Sequence, residues 1–136
     1  MKKPLQFLNP ASKIQHPESS IQFGASGEDL AVQFLENKGW DIIERNWRCH
    51  FGELDIVAWD ELRTLVFVEV KTRSSEQFGG PEGAVGKTKQ SKLLRAAAAY
   101  MQSVGYEWII RFDVIAIVFA KDKEVEIRHY EDAFFF

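Results

Sequence analysis

Asp55 and the Glu69-x-Lys71 pair lie on neighbouring stretches that both read as strands, Glu53 to Trp59 and Leu65 to Lys71. The polar run Asp60-Glu61-Leu62-Arg63-Thr64 joins them, so a hairpin is expected. Alternation puts Leu54, Ile56 and Ala58 on one face of the first strand, and Val66, Val68 and Val70 on one face of the second. A tight turn centred on Leu62 brings these apolar sets together, with Ile56 against Val68 and Leu54 against Val70. On the other face Asp55 then stands across from Glu69, and Glu53 across from Lys71. Directly opposed side chains are about 5 Å apart at Cβ, and opposed like charges repel. Two acids held beside the apolar Val57, Trp59, Leu65 and Phe67 must keep a proton or share a cation. A hard divalent ion such as Mg²⁺, which prefers carboxylate oxygens, would relieve the repulsion. Lys71 points the same way as Glu69, and its ammonium can orient a water or stabilise charge on a phosphate. The pattern fits metal-dependent cleavage of a phosphodiester. The same charges could instead form a cross-strand ion-pair cluster, with Lys71 neutralising Glu53 or Asp55.

The elements around the hairpin follow from periodicity and punctuation. Ser26 and Asp29 have capping-box spacing, Leu30, Ala31, Phe34 and Leu35 make one apolar stripe, and Lys38-Gly39 is a stop. A strand is expected from Trp40 to Arg48. Gly79, Gly80, Pro81, Gly83 and Gly86 mark residues 74–86 as a loop. A second helix covers Thr88 to Val104, with Leu93, Leu94, Ala97 and Met101 facing inward. Ile109 to Phe119 is a long β-prone run, and Val125 to Tyr130 a last strand. Helix, three strands, helix, two strands makes an α/β sandwich on a mixed sheet. Residues 1–22, with Pro10 and Pro17 and no sustained period, read as a flexible N-terminal arm, and 23–136 as a single domain.

The chain has 136 residues, 46% hydrophobic and 27% charged, which suits one globular domain and excludes wholesale disorder. The lone Cys49 forbids an intrachain disulfide and fits a reducing, cytoplasmic setting. No apolar run is long enough to span a bilayer, so no membrane association is expected. The net charge of −3 argues against a plain polyanion binder. Locally the balance reverses: Gly83 to Tyr106 holds no acid but carries Lys87, Lys89, Lys92 and Arg95, a face that can take phosphates. Lys89 lies on the inward stripe one and two turns before Leu93 and Ala97. Glu28 aligns with Ala31 and Leu35 and leans toward the body of the protein, although a carboxylate in the first turn also suits the helix dipole. Asp113 is either a further site acid or a partner of Arg111. Most of Trp40, Trp47, Trp59 and Trp108 are expected in the core, and Phe134-Phe135-Phe136 as a plug on the sheet or an interface patch. Gly86-Lys87-Thr88 lacks P-loop spacing, and neither a zinc-ligand pattern nor a nucleophile elbow is present.

Gly24-x-x-Gly27-Glu28, Arg45-Asn46, Gly52-Glu53-Leu54-Asp55-Ile56-Val57-Ala58 and Val66-Phe67-Val68-Glu69-Val70-Lys71-Thr72-Arg73 resemble the YraN-type family of predicted bacterial endonucleases. So do Lys89 with Leu93, Arg111-Phe112-Asp113-Val114 and Asp132-Ala133-Phe134. That family is similar to archaeal Holliday junction resolvases and to restriction-endonuclease-like enzymes. The resemblance implies a restriction-endonuclease-like three-layer sandwich, a mixed central β-sheet flanked by helices. It also implies a PD-(D/E)xK site with Asp55, Glu69 and Lys71 in the motif positions and Glu28 as the helix-borne acid. Leu54 replaces the proline of that pattern. The expectation is a Mg²⁺- or Mn²⁺-dependent endonuclease acting on DNA, including branched DNA. Asp55, Glu69 and Glu28 would hold the ion, with the Val70 carbonyl as a further ligand. Arg73, Lys87, Lys89, Lys92 and Arg95 would contact the nucleic acid. A homodimer would suit a two-fold junction. The alternative is a non-catalytic nucleic-acid-binding or assembly module of the same fold.

Overall fold

The computed structural model describes residues 13–14, 27–74, 86–122 and 124–134. Helix α1 (Gly27–Asn37) precedes strands β2 (Asp41–Cys49), β3 (Gly52–Trp59) and β4 (Leu65–Ser74); α2 (Lys87–Val104) precedes β5 (Ile110–Phe119) and β6 (Val125–Tyr130). These bounds lie within one residue of the expected elements except at the end of β4, which runs three residues past Lys71 to Ser74, where it continues to pair with β5. A two-residue strand, β1 (Lys13–Ile14), pairs antiparallel with β6. The rest of the proposed arm, the Ser26 cap, the glycine-rich segment 75–85 and Phe135–Phe136 lie outside the described residues.

The strands form one mixed sheet in the order β1-β6-β5-β4-β3-β2, parallel only between β4 and β5. That single parallel pair is joined through α2, as a crossover requires. One face of the sheet carries Ile56, Ala58, Val66, Val68, Ile115 and Ile117 against Leu30, Ala31, Phe34 and Leu35 of α1. The other carries Val57, Leu65, Phe67, Phe112 and Val114 against Leu93, Ala96, Ala97 and Tyr100 of α2. Helix, sheet and helix make three layers, the expected α/β architecture. Phe134 is the plug foreseen in the sequence: it is buried and stacks on Phe112 with ring centroids 5.2 Å apart. Trp40 is fully buried, but Trp108 remains 69% exposed.

Asp60 builds the turn between β3 and β4. Its Oδ1 accepts the backbone N–H groups of Leu62 (2.9 Å) and Thr64 (2.8 Å), while Oδ2 takes Arg111 Nη1 at 3.1 Å. Arg63 adopts φ 66° to close it. Asp60 is 2% exposed, so its removal opens a buried site and takes the acceptor from three partly buried donors. Asp60→Ala is expected to destabilise the protein by about 1–3 kcal/mol in urea unfolding. A change below about 0.5 kcal/mol, the range of an ordinary surface substitution, would show that the turn does not depend on this carboxylate.

Candidate active site

The β3–β4 ladder runs from Trp59↔Leu65 to Ile56↔Val68, the register that places Asp55 and Glu69 next in line. There the side chain takes over from the backbone: Val70 N–H donates to Asp55 Oδ2 at 2.9 Å. The break has a counterpart in β2. Asn46, which stands opposite Asp55, takes φ 52° and is passed over in the ladder between Arg45↔Ile56 and Trp47↔Leu54. A left-handed residue interrupts the alternation of faces. Trp47 and Leu54 therefore turn to the α2 side, where Trp47 meets the Tyr100 ring at 5.3 Å. This corrects the expectation that Leu54 shares a face with Ile56 and Ala58.

Glu69 lies at the centre, 5% exposed at its side chain, with Lys89 Nζ 3.2 Å and Lys71 Nζ 3.8 Å from its Oε2. Burial, and then the Asp55 charge, push its pKa up to about 7 against the pull of the two lysines. Burial also raises Asp55, opposed by the Val70 N–H and by a hydrogen bond with Glu69. The raised Glu69 pKa favours a protonated carboxyl beside Asp55 in the metal-free protein, one of the two resolutions open to paired acids.

Glu28 approaches from the first turn of α1. A side chain on Gly27 would collide with Thr72 Oγ1, so glycine lets the helix start against β4. Burial and then Asp55 raise the Glu28 pKa, while a hydrogen bond from Asn46 and the charge of Arg45 lower it. Arg45 Nη2 lies 3.7 Å from Glu28 and 2.6 Å from Asp29. Glu53 sits at the rim, 3.4 Å from Arg48.

The structure therefore brings Asp55, Glu69, Lys71, Glu28 and Lys89 together. Lys92 joins Lys89 along a neighbouring cleft. Lys87 and Arg95 are exposed on α2, and neither lines that cleft. The Arg73 guanidinium turns to the Thr72 carbonyl, 3.0 Å away. Asp113 does not join: it is buried on the α1 face in a bidentate pair with Arg111. Asn46 and Arg45 are functional candidates that spacing did not single out, although an Asn inside a strand already marks a local break.

Among the described residues, no three Asp, Glu, His or Cys side chains converge closely enough to cage an ion. Mg²⁺ does not need such a cage, because it commonly binds through one or two carboxylates and keeps several waters. Asp55 and Glu69 would supply that donor set, and the ion would replace the proton that Glu69 holds up to about pH 7.

That proton has a measurable signature. In metal-free protein the favourable contribution of Glu69 is present below its ordinary pKa of 4.5 and is lost as pH rises through about 7. Glu69→Gln is neutral throughout, so it should melt several degrees above the parent at pH 8 and close to it at pH 5. Thermal melts in EDTA at the two pH values test this. An equal difference at both would show that no proton is held at Glu69.

Among the described residues, no helix is long and apolar enough to cross a membrane. Residues 27–117 match the profile of the uncharacterised protein family UPF0102. A UPF0102 protein of Thermodesulfovibrio yellowstonii is 47% identical over 115 residues, 85% of this chain and 97% of its own. A UPF0102 protein of Flavobacterium psychrophilum is 47% identical over 112 residues, 82% of this chain and 92% of its own. One of Desulforamulus reducens is 44% identical over 113 residues, 81% and 93%.

Proposed function

The chain belongs to the uncharacterised protein family UPF0102, and we propose from its site that it is a cytoplasmic, metal-dependent endonuclease hydrolysing DNA phosphodiester bonds. The observation that carries this reading is the half-buried Asp55 beside the buried Glu69, which Lys71 and Lys89 both approach, where β3 and β4 part. A pair of desolvated acids with perturbed pKa values is costly as mere structure and common at reactive sites.

Bound Mg²⁺ or Mn²⁺ would polarise the scissile phosphate and make a water acidic enough to attack. Asp55 and Glu69 would hold the ion as carboxylates, with the Val70 carbonyl as a further ligand. Lys71 orients the attacking water and stabilises charge gathering on the phosphate. Lys89 draws the phosphate toward Glu69. Glu28 assists at the ion or at a water, its position fixed by Asn46 and Arg45.

Cleavage of duplex, flap, fork, four-way-junction and single-stranded DNA with Mg²⁺ or Mn²⁺, in the parent and in Glu69→Gln and Lys71→Ala, tests the reading. Metal-dependent activity that both variants lose supports it. The lack of a three-ligand cluster among the described residues favours a second reading, a non-catalytic nucleic-acid-binding or assembly module. Binding with no cleavage of any substrate would select that module. A homodimer would let two such sites meet a two-fold junction, which sedimentation with and without a four-way junction would detect.

A further inference from the structure

Beside the acids, the turn between β2 and β3 and the first turns of α2 line an open cleft of about 220 Å³. Phe51, Gly52, Glu53 and Asp55 line it from the β2–β3 turn and β3, and Lys89, Lys92 and Leu93 from the helix; Glu53 is drawn toward Arg48, 3.4 Å away.

The two sides differ in chemistry. Phe51 is 40% exposed at the tip of the turn, with its ring edge-on to His50 at 5.4 Å. Next to it Gly52, at φ 145°, has nothing within 4 Å of where a Cβ would stand, so the floor beside the ring is open. Lys89 and Lys92 are three residues apart and project from one side of α2. A flat apolar ring beside two ammonium groups matches the two parts of a nucleotide, a base to stack and a phosphate to neutralise.

We propose that this cleft is a subsite for one unpaired nucleotide next to the cleaved bond, with its base on Phe51 and its phosphate between Lys89 and Lys92. The proposal rests on the nuclease reading and adds a substrate class to it: nucleic acid with at least one unstacked residue. A base inside a duplex has both faces covered by its neighbours and offers Phe51 nothing to stack on. Lys89 also contacts Glu69, so a phosphate it holds lies next to the acid pair.

The test is binding of labelled twelve-residue oligothymidine, oligouridine and a blunt DNA duplex to the full chain in Ca²⁺, followed by fluorescence anisotropy. Phe51→Ala should weaken single-strand binding roughly tenfold or more and leave duplex binding unchanged, while Phe51→Trp restores it. Lys92→Ala should lower the salt dependence of single-strand binding by about 0.7 in the log–log slope, one phosphate contact. Comparing oligothymidine with oligouridine shows whether the subsite takes DNA, RNA or both. Equal affinity of parent and Phe51→Ala for both single strands would overturn the subsite. So would equal losses on single strand and duplex, or a dimer in the parent that Phe51→Ala dissociates, because a second copy would then cover the ring. The two readings fail separately. Cleavage that needs Asp55 but ignores Phe51 overturns the subsite alone. Phe51-dependent single-strand binding without cleavage overturns the nuclease alone.

Discussion

Asp55→Asn and Glu69→Gln are each expected to lower metal-dependent cleavage by roughly 10³-fold or more, about 4 kcal/mol of transition-state stabilisation at 1.4 kcal/mol per factor of ten. Both changes keep side-chain size and remove charge. Asn at 55 still offers an oxygen to the Val70 N–H, so β4 stays anchored and the loss falls on the ion alone. Gln at 69 relieves a buried acid, so that variant should be more stable than the parent in EDTA at pH 8 while being inactive. A gain in stability with a loss of activity marks a residue kept for chemistry rather than for folding. The two lysines should separate in kinetics. Lys71→Ala should reduce kcat by about 10²-fold, the scale of one lost group that stabilises developing charge. Lys89→Ala should act mainly on KM. Initial rates over a range of substrate concentrations distinguish the two. Cleavage that continues unchanged in Asp55→Asn and Glu69→Gln would sink the site assignment.

Much of this arrangement is legible in the chain because local rules settle it. The apolar alternation of Ile56-x-Ala58 and Val66-x-Val68 admits one parity of pairing, and the structure adopts Ile56↔Val68. Asp55 and Glu69 follow from it. The misplaced Leu54 follows from a residue on a different strand, since Asn46 turns left-handed and carries Trp47 and Leu54 to the α2 side. No period within β3 contains that information. Lys89 could be placed on an inward helical face from its spacing to Leu93. Its arrival 3.2 Å from Glu69 depends on how α2 seats across the sheet. Glu28 owes its place to Gly27, whose missing side chain lets α1 begin against Thr72.

Asp113 tests the opposite kind of residue, one whose charge holds the fold. It sits beside β4 at Val68, one step from the Glu69↔Val114 pair, but on the α1 face. Its carboxylate accepts Arg111 Nε at 2.8 Å and Nη2 at 2.9 Å, and the Asp132 N–H at 3.0 Å. His129 Nε2 lies 2.8 Å away, and Lys38 Nζ stands 2.9 Å from the other nitrogen of that ring. The ammonium donates to Nδ1, so the imidazole is left to donate from Nε2 to Asp113. Burial alone would raise the Asp113 pKa, but hydrogen bonds from His129, Arg111 and Asp132 more than offset it and hold it below the usual carboxylate range. Its contribution is therefore present above the ordinary pKa of 3.8 and is lost as pH falls through the lower folded value. Asp113→Ala removes the bidentate partner of the half-buried Arg111, which keeps its Asp60 contact, and leaves His129 without its acceptor. Breaking a buried pair from one side costs about 3–5 kcal/mol, a large part of the 5–15 kcal/mol of a typical domain. Thermal melting at pH 7 should fall by roughly 10 °C or more. Mn²⁺ should raise the melting point of this variant as much as it raises the parent's, since Asp55 and Glu69 are intact on the other face. Cleavage per folded molecule should also survive at low temperature. An Asp113→Ala protein that melts like the parent but does not cleave would move Asp113 from the scaffold into the active site.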